Sequence, residues 1–157
     1  MKKNQNEYSK AERILLTFDR LYYGIRPEIC DFPAKSKKTF ERDCNVLRKL
    51  GVEIKYSKTY KGYESNARDC KLSVPEVSEN GNKAEERFLR RLVRLIDAMF
   101  SLDEDVSGWY KLHYPDVTPR TRQRDLETLR NIGYEVRYVG TAWGDDEKWR
   151  IDFPGEF

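Results

Sequence analysis

The feature that most constrains this fold is an internal repeat with an offset of 82 residues. Residues 36–56 align without gaps against residues 118–138, and eight of the 21 aligned positions are identical. A repeat of this length predicts two copies of one supersecondary unit. The identical pairs are Thr39/Thr121, Arg42/Arg124, Asp43/Asp125, Leu47/Leu129, Arg48/Arg130, Gly51/Gly133, Glu53/Glu135 and Tyr56/Tyr138.

The segment between the copies predicts a domain boundary. Residues 73–83 contain Pro75, Gly81 and several Ser and Asn residues, which interrupt any helical or strand period. We therefore expect a first domain at 1–72, a linker at 73–83 and a second domain at 84–157. Each half is long enough for a small fold with a thin core.

Two helices are expected at the start of the first unit. Ser9 and Glu12 have the spacing of a capping box, which predicts a helix over 10–23. A short second helix is expected over 27–32, because one proline opens that segment and another follows it.

A third helix and a hairpin complete the first unit. Ser36 is the expected N-cap, Gly51 the expected left-handed C-terminal residue, and the buried face is formed by Phe40, Cys44, Leu47 and Leu50. After Gly51 the period changes to two, with Val52, Ile54 and Tyr56 on one side and a turn at 60–63. This pattern predicts a β-hairpin.

The second unit repeats the plan. Helices are expected over 83–100, 107–112 and 118–132, followed by a hairpin over 134–153. Thr118-Pro119 combines an N-cap with proline at the first helical position.

Three helices followed by a hairpin, with a basic third helix, is the order of a winged helix-turn-helix. We predict an α+β protein with two tandem winged helix-turn-helix domains. The string S-K-K-T-F-E-R-D at 36–43, followed by Leu47, Gly51, Ile54 and Gly62-Tyr63, resembles the recognition helix and wing of bacterial DeoR-type regulators, especially the N-terminal domains of WYL-domain transcription factors. The resemblance covers 9–63 well and 83–149 more loosely, without the WYL domain. It implies double-stranded DNA binding and transcription regulation.

The charge distribution points in the same direction. Residues 35–62 carry nine basic and three acidic side chains, a net charge of +6, whereas the whole chain has +3. Such concentration is typical of surfaces that neutralise phosphates. A basic helix face is also a common solvated surface, and Arg42-Asp43 is equally consistent with local ion pairing.

The candidate DNA-binding residues of the first unit lie on its third helix and hairpin. The helix start can hold a phosphate, its outward side chains can reach base edges in the major groove, and the hairpin tip can meet the backbone or minor groove. The residues are Lys35, Ser36, Lys37, Lys38, Thr39, Glu41, Arg42, Asn45, Lys58, Tyr60 and Lys61.

The second unit is expected to read DNA more weakly. Arg122 falls where the first unit has the core residue Phe40, and its hairpin carries acidic residues at 145–147. Its candidate DNA contacts are Thr118, Arg120, Thr121, Arg122 and Arg124. Four aromatic residues of the second unit are also consistent with a surface for a homodimer or a partner protein, which we keep as an alternative. They are Trp109, Tyr110, Trp143 and Trp149.

Other classes of protein are disfavoured. The apolar stretches are too short to span a bilayer and the polar start lacks a secretory signal, so we expect a cytoplasmic protein without membrane partners. The three cysteines are in no C-x-x-C spacing, and His113 is the single histidine. We expect no enzyme, metal or cofactor. A winged-helix protein-interaction module and a plasmid-type replication or origin-binding protein stay open as alternatives.

Overall fold

The computed structural model of the chain describes residues 8–76, 78–102, 105–139 and 148–152. The protein is α+β, with helices and two antiparallel hairpins. The elements are α1 (Lys10–Tyr23), a 3-10 turn (Ile29–Asp31), α2 (Lys37–Lys49), β1 (Ile54–Ser57), β2 (Gly62–Ser65), α3 (Lys83–Ser101), α4 (Val106–His113), α5 (Pro119–Asn131), β3 (Glu135–Val139) and β4 (Lys148–Asp152).

Helix α1 begins with the predicted capping box. Ser9 Oγ accepts from the Glu12 amide at 3.2 Å, and the Glu12 carboxylate accepts from the Ser9 amide at 3.4 Å. Because both first-turn donors are satisfied locally, the helix starts where the sequence predicts. The prediction of a helix over 10–23 is confirmed.

The predicted helix over 27–32 is wrong. Only Ile29–Asp31 forms a single 3-10 turn. The Pro27 carbonyl accepts from the Tyr63 amide at 3.0 Å, which holds the start of the segment extended along β2. The Asp31 carboxylate accepts from the Glu28 amide at 2.7 Å and closes the short turn. A contact with a distant strand therefore replaces the local helix.

Helix α2 has the predicted ends and core. Ser36 Oγ accepts from the Thr39 amide at 3.2 Å, and Gly51 has a φ of 103°. The Val52 amide donates to the Leu47 carbonyl at 3.1 Å, which satisfies a terminal carbonyl of the helix. The four predicted core side chains of the helix are fully buried: Phe40, Cys44, Leu47 and Leu50.

The first hairpin packs on α2 through aromatic side chains. β1 and β2 are antiparallel, with Ile54 opposite Ser65. The Phe40 ring lies 4.7 Å from the ring of Tyr63 in β2 and 4.5 Å from that of Phe32 after the 3-10 turn. Tyr56 departs from the predicted buried alternation and is 54% exposed, because it lies toward the hairpin tip and only edges against Tyr63.

The second half of the chain repeats these local structures. Thr118 Oγ1 accepts from the Thr121 amide at 3.2 Å, and Gly133 has a φ of 111°. Strands β3 and β4 pair antiparallel with Glu135 opposite Asp152. Trp109 and Tyr110 of α4 are buried. The acidic residues 145–147 and Trp143 lie outside the described residues, as does the side chain of Trp149.

The chain separates into two compact units, Asn4–Arg94 and a second that includes Leu95–Phe157. The division falls within α3, on the C-terminal side of the 73–83 segment. The predicted domain boundaries stay a prediction. Across the described ranges, no helix combines the length and the apolar character needed to cross a bilayer.

Candidate nucleic-acid interface

The outward face of α2 carries a stripe of polar side chains. Lys38, Arg42, Asn45 and Lys49 follow one another at intervals of four, three and four residues and are all exposed. They lie opposite the buried face because this spacing returns to the same side of a helix. Lys35, Ser36 and Lys37 are exposed at the start of the same helix.

The cations near the start of α2 are available to a ligand. Within the described part of the chain, the side chains of Lys37, Lys38 and Arg42 have no hydrogen-bond or ion-pair partner. Thr39 is half-buried and takes part in the N-cap. The helix start therefore combines free amide groups with unpaired positive charge.

Glu41 and Asn45 are held by Arg48, which sequence reasoning did not assign to the site. Arg48 Nη1 donates to Asn45 Oδ1 at 2.8 Å and lies 3.4 Å from Glu41 Oε2. Its Nη2 donates to the Ile54 carbonyl at 3.0 Å. Arg48 thus links α2 to β1, offsets the charge of Glu41 and leaves Asn45 Nδ2 as that residue's side-chain donor.

The hairpin tip presents Lys58, Tyr60 and Lys61, all exposed. The Arg26 guanidinium lies over the Tyr60 ring, 3.1 Å from its centroid, and its Nε is 3.4 Å from a Glu64 oxygen. Tyr60 therefore has one face packed within the protein, whereas the two lysine side chains have no hydrogen-bond or ion-pair partner among the described residues. Arg26 could not be found from the sequence, because 34 residues separate it from Tyr60.

Helix α5 presents a similar but sparser basic face. Arg120 and Arg124 are exposed, one turn apart, at the positions equivalent to Lys38 and Arg42. Arg122 occupies the position of Phe40 and is half-buried, while Thr118 and Thr121 form the N-cap.

Most identities of the repeat have a structural role in both copies. Thr39 and Thr121 are at the N-caps, and Gly51 and Gly133 have left-handed backbone conformations. Arg130 donates to the Val136 carbonyl at 3.2 Å, which reproduces the bond from Arg48 to Ile54. The remaining identical side chains that are buried in both copies are those of Asp43/Asp125 and Leu47/Leu129.

Asp43 and Asp125 are buried anchors of the two third helices. Both Asp43 oxygens accept from Arg13 of α1, at 2.5 Å from Nε and 2.9 Å from Nη2. Asp125 accepts from the Tyr110 hydroxyl at 3.0 Å. The hydrogen bond to Asp43 also raises the pKa of Arg13. The adjacent Arg42 is thus not the ion-pair partner of Asp43.

Arg42 and Arg124 are an identical pair of basic residues without such a role. Both are exposed, and neither guanidinium has a partner among the residues that the structure describes. An exposed arginine at the same position of both outward faces has the fork of donors that suits phosphate and nucleic-acid ligands.

A groove of about 540 Å³ runs beside this face, between α1 and α2. Its lining includes Lys10 and Arg13 from α1 and Thr39, Arg42, Asp43 and Lys49 from α2. The described residues contain no group of three His, Cys, Asp or Glu side chains arranged to hold a metal ion.

No protein-family model, curated protein or solved structure matches the chain. The interpretation of the interface therefore depends on its own geometry and chemistry.

Proposed function

We propose that the chain is a sequence-specific, double-stranded DNA-binding transcription regulator built from two winged helix-turn-helix units. The order of helix, turn or short helix, basic helix and hairpin occurs twice and supports this assignment. In the proposal, α2 and α5 enter the major groove and the hairpins meet the backbone.

The observation that carries the proposal is the equivalent exposure of Arg42 and Arg124. The other identities that the structure describes in both copies mostly cap, pack or tie the fold, whereas these two guanidinium groups do not. An arginine fork matches the O6 and N7 acceptors of guanine. Lys38 and Arg120, one turn earlier, add positive charge on the same face.

The geometry of α2 suits groove binding. A 13-residue helix is about 20 Å long and is narrow enough for the major groove. Asn45 offers an amide donor toward an adenine edge, and Ser36 and Thr39 mark a helix start that favours a phosphate. Lys58 and Lys61 at the hairpin tip are suited to backbone contact.

A selection from a random duplex library with the purified chain, followed by fluorescence-anisotropy titration of the selected site, tests the proposal. We expect Arg42→Ala to weaken binding of that site about 5- to 150-fold, the effect of losing a bidentate base contact of about 1–3 kcal/mol. Arg87→Ala is the matched control, because Arg87 is an exposed arginine on α3. Failure to bind any duplex at low salt would contradict the proposal.

A protein-interaction module is the second candidate, and exposed apolar side chains favour it. Tyr23 at the end of α1, and Ile25 and Ile29 in the segment that follows it, are 61%, 93% and 38% exposed. Sedimentation of the wild type and of Ile25→Glu separates the two functions. Self-association that is lost in Ile25→Glu, together with unchanged duplex binding, would assign this segment to a protein contact and leave DNA to α2.

A further inference from the structure

We infer that the groove between α1 and α2 binds a phosphate group, and that Glu85 of α3 competes with that phosphate for Lys49. The site adds α1 to the proposed interface and names residues that the sequence pattern did not. Its ligand chemistry is shared by a DNA backbone phosphate and a free phosphate ion.

The groove has the charge that a phosphate requires. Lys10, Arg13, Arg42 and Lys49 contribute four positive charges and Asp43 one negative charge, a net charge of +3 for the lining. Arg13 and Asp43 offset each other because both Asp43 oxygens accept from Arg13, so Lys10, Arg42 and Lys49 supply the net positive charge. The Arg13 side chain is 23% exposed and keeps Nη1 for an incoming acceptor.

The lining also places hydrogen-bonding groups beside the cations. Thr39 and Asn45 supply these groups, and Arg42 belongs both to the groove and to the outward face of α2. A phosphate in the groove would therefore lie next to a duplex held against that face.

Glu85 is the carboxylate that already uses part of this charge. It forms an ion pair with Lys49 across α2 and α3, and both partners are about half-exposed. Lys49 and, more weakly, Lys10 lower the pKa of Glu85. Lys10 Nζ also lies 5.0 Å from the centroid of the Phe88 ring, on the same helix as Glu85. A phosphate must share Lys49 with this carboxylate.

This arrangement predicts opposite effects for two exposed residues. Lys10→Ala should lower the slope of log affinity against log salt concentration by about 1, because one phosphate contact is lost. Glu85→Gln should strengthen phosphate binding about two- to fivefold, the scale of an exposed ion pair. Glu86→Gln, which changes the same charge one residue along and pairs with Arg90, should leave binding unchanged.

Two arms of the experiment separate the sources of the phosphate. One measures the salt dependence of duplex binding for the wild type and the three variants, and it depends on the proposed function. The other titrates inorganic phosphate alone and follows the amide NMR signals of Thr39, Arg42 and Lys49. Thermal unfolding of each variant verifies that the fold is intact.

Each outcome decides the inference. A reduced slope in Lys10→Ala and tighter binding by Glu85→Gln support a backbone phosphate, while saturable shifts with inorganic phosphate alone support a free ion. If the wild type binds no duplex but phosphate shifts the groove signals, the proposed function fails and the groove stands. If neither arm responds to Lys10→Ala or Glu85→Gln, the inference is wrong.

Discussion

At the scale of single residues, the ion pair between Arg13 and Asp43 stands out because it joins α1 to α2 beside the candidate interface. Asp43 is fully buried and both of its oxygens are used, whereas Arg13 is partly exposed. Removing one partner of such a pair leaves the other charge without its compensation. The pair therefore fixes the helix that presents Arg42.

Asp43→Asn should lower the free energy of unfolding by roughly 2–4 kcal/mol, toward the lower part of the range for buried pairs because Arg13 reaches solvent. Urea denaturation measures this change. Asp69→Asn, at an exposed aspartate, is the control and should stay within about 0.5 kcal/mol of the wild type. A double-mutant cycle with Arg13→Met should return a coupling energy, and additive losses would argue against the pair.

Cys44 predicts a pH dependence of stability. Burial raises the pKa of its thiol from 9.0 to about 12. The folded state thus keeps a proton that the unfolded chain releases, so this contribution is complete below about pH 9 and is lost as the pH rises toward 12. Chemical denaturation between pH 8 and 10.5 should show a decline of up to about 1.4 kcal/mol per pH unit from this group.

Cys44→Ala provides the comparison for that decline. The variant should be less stable at pH 8 because it leaves a small cavity, yet its stability should fall less steeply above pH 9. Parallel pH profiles for the two proteins would show that the thiol does not contribute. Cys30→Ala, at an exposed cysteine, should retain the wild-type profile.

At the scale of elements, the first hairpin depends on its contact with the segment that follows α1. The Tyr63 amide donates to the Pro27 carbonyl, and Gly62 lies against the backbone of Arg26. A Cβ at Gly62 would be 2.0 Å from the Arg26 carbonyl oxygen, so this position requires glycine for space. The hairpin tip, with Lys58 and Lys61, is positioned by that approach.

Gly62→Ala should therefore destabilise the protein by about 1–3 kcal/mol, the usual range for overpacking. Amide hydrogen exchange of β1 and β2 would show local loss of protection, and thermal unfolding would give the overall effect. Gly133→Ala is a useful comparison. Apart from its chain neighbours, no described residue has a heavy atom within 4 Å of the added Cβ, and the left-handed φ alone would cost about 1–2 kcal/mol. Equal local protection in Gly62→Ala and the wild type would contradict the contact.

Comparison of the helices with their predicted bounds shows which parts of the fold can be predicted from the sequence. The ends of α1 and α2 are set by bonds over three residues, from Ser9 to Glu12 and from Ser36 to Thr39, so local spacing predicted them. The helix prediction for residues 27–32 was wrong because the conformation of this segment is set by a hydrogen bond to Tyr63, which lies far along the chain.

The candidate site divides in the same way. Helical periodicity predicted the exposed side chains of α2, including Lys38 and Arg42. The groove could not be predicted, because it depends on two tertiary contacts, that of α1 with α2 and that of Glu85 with Lys49. Neither contact is indicated by the local sequence. Asn45 was predicted as a base contact, but its orientation by Arg48 follows from tertiary packing.

At the scale of the whole molecule, an exposed arginine at the same position of α2 and α5 raises the question of whether both helices contact the same DNA duplex. Arg42 and Arg124 lie on different helices, and no described residue contacts both guanidinium groups, so their contributions to binding should add in free energy. Two half-site contacts on one chain would raise affinity through effective concentration.

Arg124→Ala should weaken binding to a selected two-half-site duplex at least about fivefold, and the double variant with Arg42→Ala should lose the product of the two factors. Electrophoretic mobility shifts with one and two half-sites measure this. Arg87→Ala again controls for loss of one positive charge. Wild-type affinity in Arg124→Ala would assign duplex recognition to the first unit alone.

Hydrogen bonds at the edges of the two hairpins affect which strands can pair. The Arg48 side chain donates to the Ile54 carbonyl of β1, the Tyr63 amide of β2 donates to the Pro27 carbonyl, and the Arg130 side chain donates to the Val136 carbonyl of β3. Two similar hairpins in one chain risk pairing with each other, or with hairpins of another copy, through unsatisfied edge groups. Each of these bonds occupies a backbone group that would otherwise be open to pairing with a strand of the other hairpin or of a second copy of the chain.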